Sequence, residues 1–243
     1  MNPLKFLPAL LLAALTTAAH AASFEAGIGA SQFDTSGNTV WYQQGFPYSL
    51  NLRSHALMLG VTGDLTPRVA WHVDYVNLGG VHTDAIATPV DSNYNLATQS
   101  CNGPCVAQSR FVGNGADQGF TATLEPHIDW HGWRFGAEAG VFLSLPTWEV
   151  TVYNWKLDPS QPGQTITASH RVHWQRGPVI GVSIARGAWG LQIRRYFDAT
   201  TGDTPASYGD PVRHVPAIWQ HTTTVMLTYK TGRPGRAGPA CLG

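Results

Sequence analysis

Charge is scarce: Asp, Glu, Lys and Arg make up 12% of the 243 residues, about half of what a soluble domain of this size carries. So few ionic groups fit a surface that faces lipid better than one that faces water. No sign is in excess either. The 15 basic residues are matched by 15 acidic ones, so the chain lacks the concentrated Lys and Arg that neutralise phosphate, and no nucleic-acid partner is expected. After the first residues, no stretch approaches the roughly 18 uninterrupted apolar residues of a membrane helix. An exported form would therefore be soluble, lipid-anchored or a β-barrel. Cysteine is rare, 3 in all, and the first is Cys101. A lipoprotein needs a cysteine at its cleavage site, which argues against that anchor.

Lys5, the apolar run from Leu7 to Leu15 and the small-residue pattern Ala19-His20-Ala21 read as a cleaved secretory signal covering 1–22. The body is expected over 23–230, and the Gly- and Pro-rich segment 231–243 reads as a flexible tail.

The body is organised by alternation. From Leu124 to Thr147, a tight turn at Trp130-His131-Gly132 is followed by Trp133, Phe135, Ala137, Ala139, Val141 and Leu143 on one face and Arg134, Gly136, Glu138 and Gly140 on the other. A two-residue period means a strand, and ionisable or tiny residues opposite a wholly apolar face point to a ring with a filled interior. The same pattern begins at Phe24, His55, Val69, Phe120, Pro178, Trp189 and Thr223, predicting eight strands. Pro126 marks a bulge or a strand end. The segments Asp34–Arg53, Gly79–Gln118, Pro146–Gln175 and Asp198–Trp219 read as long connections, although Glu149–Trp155 alternates and extends a strand. Short and long connections therefore alternate, with the tight turns on one side.

With those eight segments, and with Trp71, Tyr75, Trp133, Trp189 and Tyr229 on outward faces near strand ends, residues 23–230 resemble the small outer-membrane barrels of the OmpA and OmpX type, including the Ail/Lom surface proteins. Val225, Leu227 and Tyr229 imitate the final assembly strand of such families. The resemblance implies an eight-stranded antiparallel up-and-down transmembrane β-barrel with short periplasmic turns and long extracellular loops. It also implies a Gram-negative outer membrane, neighbouring lipids and lipopolysaccharide, periplasmic chaperones and barrel-assembly machinery during biogenesis, and a monomer.

Alternation turns Glu25, His72, Asp74, Glu125, His127, Arg134, Glu138 and Arg194 inward. The interior of an eight-stranded barrel is only wide enough for side chains, so an ionic network of Asp74, Glu125, Arg134, Glu138 and Arg194 is expected. Asp74, Glu138 and Arg194 fall at similar depth, which predicts that Arg194 bridges one or both carboxylates. Cys101 and Cys105, in CNGPC, are expected to close a small disulfide loop. A metal at His127, Asp129 and His131 is physically allowed, but the turn breaks the period before His131, and a polar mouth is the preferred reading. No cofactor is expected. Trp41, Tyr42, Tyr48, Trp155, Trp174 and Trp219 are read as loop aromatics, some of them recognition residues. The function expected is structural or adhesive, with loops meeting a host, phage or neighbouring surface. The alternatives are a lipid A-modifying enzyme, for which no His-x-Ser pattern occurs, and a narrow ion channel.

Overall fold

The computed structural model describes residues 22–35, 46–87, 94–95, 97–98, 100–103, 108–155, 160, 162–169, 173–197 and 218–231. Apart from Ala22 and Thr231, the expected leader and tail lie outside them, as do Trp41, Tyr42 and Cys105. The described elements are all strands: β1 Ser23–Asp34, β2 Tyr48–Asn51, β3 Arg53–Thr66, β4 Val69–Ala87, β5 Tyr94–Asn95, β6 Ser100–Cys101, β7 Ser109–Trp130, β8 Trp133–Ser144, β9 Thr147–Trp155, β10 Gln164–Ser169, β11 Gln175–Arg186, β12 Trp189–Phe197 and β13 His221–Lys230.

Eight of these strands close into a ring, each antiparallel to the next, in the order β1–β3–β4–β7–β8–β11–β12–β13. The last pairing, β13 with β1, runs from Glu25↔Lys230 to Asp34↔His221 and leaves no free edge in the ring. Alternation sorts the side chains: Thr222, Thr224, Met226 and Thr228 of β13 are buried, whereas Val225, Leu227 and Tyr229 are exposed on the outer wall.

The tight turns fall where turn chemistry predicts them. His131 and Gly132 both have positive φ (49° and 79°), as a type I′ hairpin requires, and Gly187 at φ 61° supplies the first central position of a II′ turn. Between β3 and β4 the strand runs on through Gly63-Asp64-Leu65-Thr66, past a register shift between Asp64 and Thr66, and turns at Pro67-Arg68. Pro126 is neither a bulge nor a strand end. It pairs with Val69, and the β7–β8 ladder keeps its register on both sides of it, Leu124↔Ala139 and His127↔Gly136.

Three of the expected loops, Asp34–Arg53, Gly79–Gln118 and Pro146–Gln175, contain strand. β4 and β7 stay paired above the ring, from Gly79↔Asp117 to Ala87↔Ser109. There β9 replaces β8 beside β7, β10 pairs with β9, and β2 pairs with the far side of β4. The result is a five-stranded extension, β2–β4–β7–β9–β10, at the end opposite the tight turns. Its glycines, which read as loop, have a packing cause. A Cβ on Gly113 would lie 2.4 Å from the Trp148 ring, and one on Gly115 would lie 2.7 Å from Trp148 and 2.9 Å from Trp219. The two indoles lie over a trough that only glycine leaves open. With Phe33, Leu78, Phe142, Val150, Val152, Trp155, Val179, Tyr196 and Ile218 they form the main apolar core, which caps the ring.

Inside the ring, Gly140 sits where neighbouring backbones approach closely, since a Cβ there would lie 2.0 Å from the Ala122 carbonyl oxygen and 2.7 Å from Thr123 Cα. Gly140→Ala should therefore force the ladder apart and cost about 1–3 kcal/mol, read as a lower urea midpoint for the refolded protein. Ala139→Leu, one residue away on the exposed wall, should leave the midpoint in place. Equal midpoints for Gly140→Ala and wild type would mean that the backbone relieves the clash freely.

Candidate functional site

The interior charges lie in two layers. Nearer the turns, His72 of β4 stands between two carboxylates, its Nδ1 2.9 Å from Glu25 Oε2 and its Nε2 3.1 Å from Glu125 Oε2, with all three side chains at most 2% exposed. Carboxylates only accept, so satisfying both contacts takes an N–H on each ring nitrogen, which only the imidazolium form carries. Lys230 adds a second cation 3.6 Å from Glu25 Oε1. Gly136 leaves the space that Glu125 fills, since a Cβ there would lie 2.5 Å from the carboxyl carbon.

Nearer the core, Arg194 of β12 donates from Nη1 to Asp74 Oδ2 (2.8 Å) and from Nε to Glu138 Oε2 (2.7 Å), all fully buried. Thr121 Oγ1 donates to Asp74 Oδ2 at 3.1 Å, and Gln192 Nε2 donates to Glu138 Oε1 at 2.7 Å. Asp74 lies against Gly60, where a Cβ would come within 2.1 Å of Oδ1. Arg194 thus reaches across the interior and ties β12 to β4 and β8.

Of the expected network, Asp74, Glu138 and Arg194 are brought together, and Glu125 belongs to the separate His72 layer. Arg134 is a correction: it sits at the turn-side mouth, donating from Nε to Asp129 Oδ1 (3.0 Å) and from Nη1 to Asp64 Oδ1 (3.3 Å). Its long side chain meets carboxylates at the rim before it can reach the interior. Those contacts engage Asp129 with Arg134, while His127 is buried with Nδ1 3.2 Å from the Glu125 carbonyl and His131 meets Trp130 edge to face in the turn. Among the described residues no group of three or more His, Cys, Asp or Glu is placed to hold a metal. Cys101 is disulfide-bonded. Alternation puts Gln192 and Thr121 on the inward face beside Arg194 and Glu125, but they and Lys230 are not among the expected network residues. Their polarity alone does not name a partner.

The loop aromatics divide. Tyr48 on β2 and Trp174 before β11 are exposed, 53% and 57%, whereas Trp155 and Trp219 are buried in the core. The correction for Trp155 follows from β9. Asn154 at φ 56° breaks the alternation after Val152 and turns the next side chain inward.

The outer face of the extension is polar and was not anticipated as a site. His82 Nδ1 lies 2.8 Å from Asn114 Oδ1, Arg110 Nε donates to Asp84 Oδ1 at 2.9 Å, and the Thr151 and Thr167 hydroxyls are 3.4 Å apart. Cross-strand pairing aligns Arg110 with Tyr153 and Asn114 with Glu149. The available signal was Val81, Thr83 and Ala85 alternating with His82, Asp84 and Ile86, masked by the neighbouring glycines.

Arg194→Ala should strand two buried carboxylates and cost about 3–5 kcal/mol in reversible unfolding. Adding Asp74→Asn and Glu138→Gln to Arg194→Leu should recover most of the loss, because no buried charge is then left without its cation. A single Arg194→Ala variant as stable as its parent would refute the clamp.

No family model matches the chain, and no curated protein is significantly similar to it.

Proposed function

We propose that the ring is a transmembrane β-barrel of a Gram-negative outer membrane, of the OmpA/OmpX kind, with a non-enzymatic structural or surface-binding role carried by the side opposite the tight turns. The observation that carries this reading is the outer wall. Phe24 is 71% exposed, Leu59 64% and Ile128 67%, and exposed Val, Leu and Ile continue over the other strands of the ring. A soluble monomer rarely exposes a contiguous apolar patch of more than a few hundred Å². Hydrocarbon is the solvent such a wall fits, and a closed ring is the only sheet with no unsatisfied edge there.

The height agrees. On β8, Trp133 to Leu143 spans about 33 Å along the strand, or about 25 Å upright at the usual tilt, which matches the apolar band of such barrels. Aromatics mark both borders. Trp130, Trp133, Trp189 and Tyr229 lie near the turns, with Trp189 and Tyr229 rings 5.0 Å apart, and Tyr75, Phe120 and Trp174 cluster at the other end. An open apolar groove of about 510 Å³, lined by Phe24, Ala26, Leu59, Gly60, Tyr75 and Phe120, belongs to the same wall.

The interior favours a closed structure over the channel alternative, because Arg194, Tyr196, Phe142 and Trp219 are fully buried across it. For the enzyme alternative, the buried serines offer little. Ser31 and Ser109 donate to backbone carbonyls of Leu78 and Asn154, and Ser144 donates to Asp117.

Purified membranes should give a band that migrates differently when boiled, with β-type circular dichroism in detergent, and planar bilayers should show no steady large conductance. Identical migration of boiled and unboiled samples would count against the barrel, steady conductance would sink the closed interior, and an altered lipid A mass spectrum on overexpression would favour the enzyme.

A further inference from the structure

We propose that the outward face of the extension, β2–β4–β7–β9–β10, binds saccharide, namely the sugar headgroups of glycolipids in the leaflet around it. The choice of source rests on the membrane reading above; the chemistry of the face does not.

The face is a grid fixed by the strand register. Five strands at about 4.8 Å spacing span about 19 Å between the outermost axes, the scale of a short oligosaccharide. One row aligns His82 with Asn114 and Asn114 with Glu149, and a row further out aligns Arg110 with Tyr153. These groups are exposed but held: His82 by Asn114 at 2.8 Å, and Arg110 by Asp84 through Nε at 2.9 Å. Polar groups already ordered on rigid strands lose little freedom on binding.

Their chemistry matches sugar hydroxyls, each of which both donates and accepts. Asn114 offers a donor and an acceptor and Glu149 accepts, beside the Arg110–Asp84 pair, whose guanidinium and carboxylate already bond each other. Tyr153, 45% exposed, adds an aromatic face for the apolar side of a sugar ring, with a hydroxyl at its tip.

Other partners fit less well. A protein interface is built around a desolvated apolar or aromatic centre, whereas the aliphatic side chains in these rows, Ile86 and Val112, are already half-buried. A phosphate or nucleic-acid site needs uncommitted cations. Arg110 is engaged by Asp84, and its guanidinium holds that carboxyl below its usual range, so the two remain charged and mutually paired. The face also adjoins the wall directly. β4 and β7 run without a break from Tyr75 and Phe120, at the border of the apolar wall, into the extension, so headgroups of the same leaflet are the nearest ligands. In the leaflet proposed, those headgroups are sugar.

The test titrates detergent-folded full-length protein, verified by its heat shift, with deacylated and dephosphorylated lipopolysaccharide core saccharide, and in parallel with lactose-series and chitin-series oligosaccharides. The core saccharide should bind, and Tyr153→Ala and Asn114→Ala should each weaken it about tenfold while keeping the heat shift, as expected for losing one stacking or hydrogen-bonding group. Glu149→Gln, which keeps shape and loses charge, provides a second probe if either truncation misfolds, and should also weaken binding. Absence of core-saccharide binding at millimolar concentration by folded protein overturns the proposal. Binding unaffected by any of the three substitutions overturns the assignment to this face, and equal binding of all the saccharides overturns the source. Failure of the barrel reading shows separately, as a missing heat shift.

Discussion

Arg194 is the contact on which the interior depends. The interior of a closed ring of eight strands is only wide enough for side chains to fill it, so an inward charge depends on partners from other strands. Two carboxylates at one level would repel each other strongly in that medium, and one guanidinium whose Nε and Nη1 reach both converts the repulsion into a cross-brace. The geometry imposes requirements on its neighbours. Gly60 must be small for Asp74 to lie flat, and Gly181 must be small because a Cβ there would come within 2.9 Å of Arg194 Cγ. Gln192 and Thr121 must be polar because each carboxylate has lone pairs left over.

The His72 layer solves the same problem with a weaker cation. One ring nitrogen faces each carboxylate, and Lys230 closes the set exactly where β13 meets β1, so the pairing that closes the ring also joins the charges of its last and first strands. Between them the two layers hold Glu25, Glu125, Asp74 and Glu138, side chains whose burial without partners would be prohibitive. Above them the interior changes to aromatic and aliphatic packing, with Phe142 against Tyr196 at 4.9 Å and Phe33 against Trp219 at 5.2 Å.

The ring was legible because its rule is local: a strand with one face on the wall and one inside repeats every two residues. Equal depth on alternate strands is enough to predict that Arg194 bridges Asp74, Glu138 or both, and it bridges both. Arg134 shows the limit of the rule, since facing inward near a turn does not decide whether a long side chain runs into the interior or bends to Asp129 and Asp64 at the rim. The extension was not legible for a different reason. Gly113 and Gly115 look like loop residues in isolation, and only Trp148 on β9 and Trp219, far along the chain, explain why they stand in a strand. Trp155 was likewise hidden by one residue, Asn154, whose left-handed backbone shifts the phase of the pattern.

One consequence links the extension to the wall. β4 and β7 are continuous through both, yet their outward faces change character within a few residues, from Val73, Tyr75 and Phe120 to His82, Asp84, Arg110 and Asn114. The change coincides with the bulge at Gly79, where φ is 81° and a Cβ would come within 2.2 Å of Ser54 Oγ. Asn77 fixes that bulge by accepting from the Gly79 amide at 2.8 Å. Since a bulge re-aims the strand and raises its local twist, Gly79 marks the point at which two strands leave the ring and become a separate platform. The ring and the platform therefore share their hydrogen-bonded ladder but not their surroundings. A polar outward face persists on the platform because its apolar side is already occupied by Trp148, Val150, Val152 and Trp219.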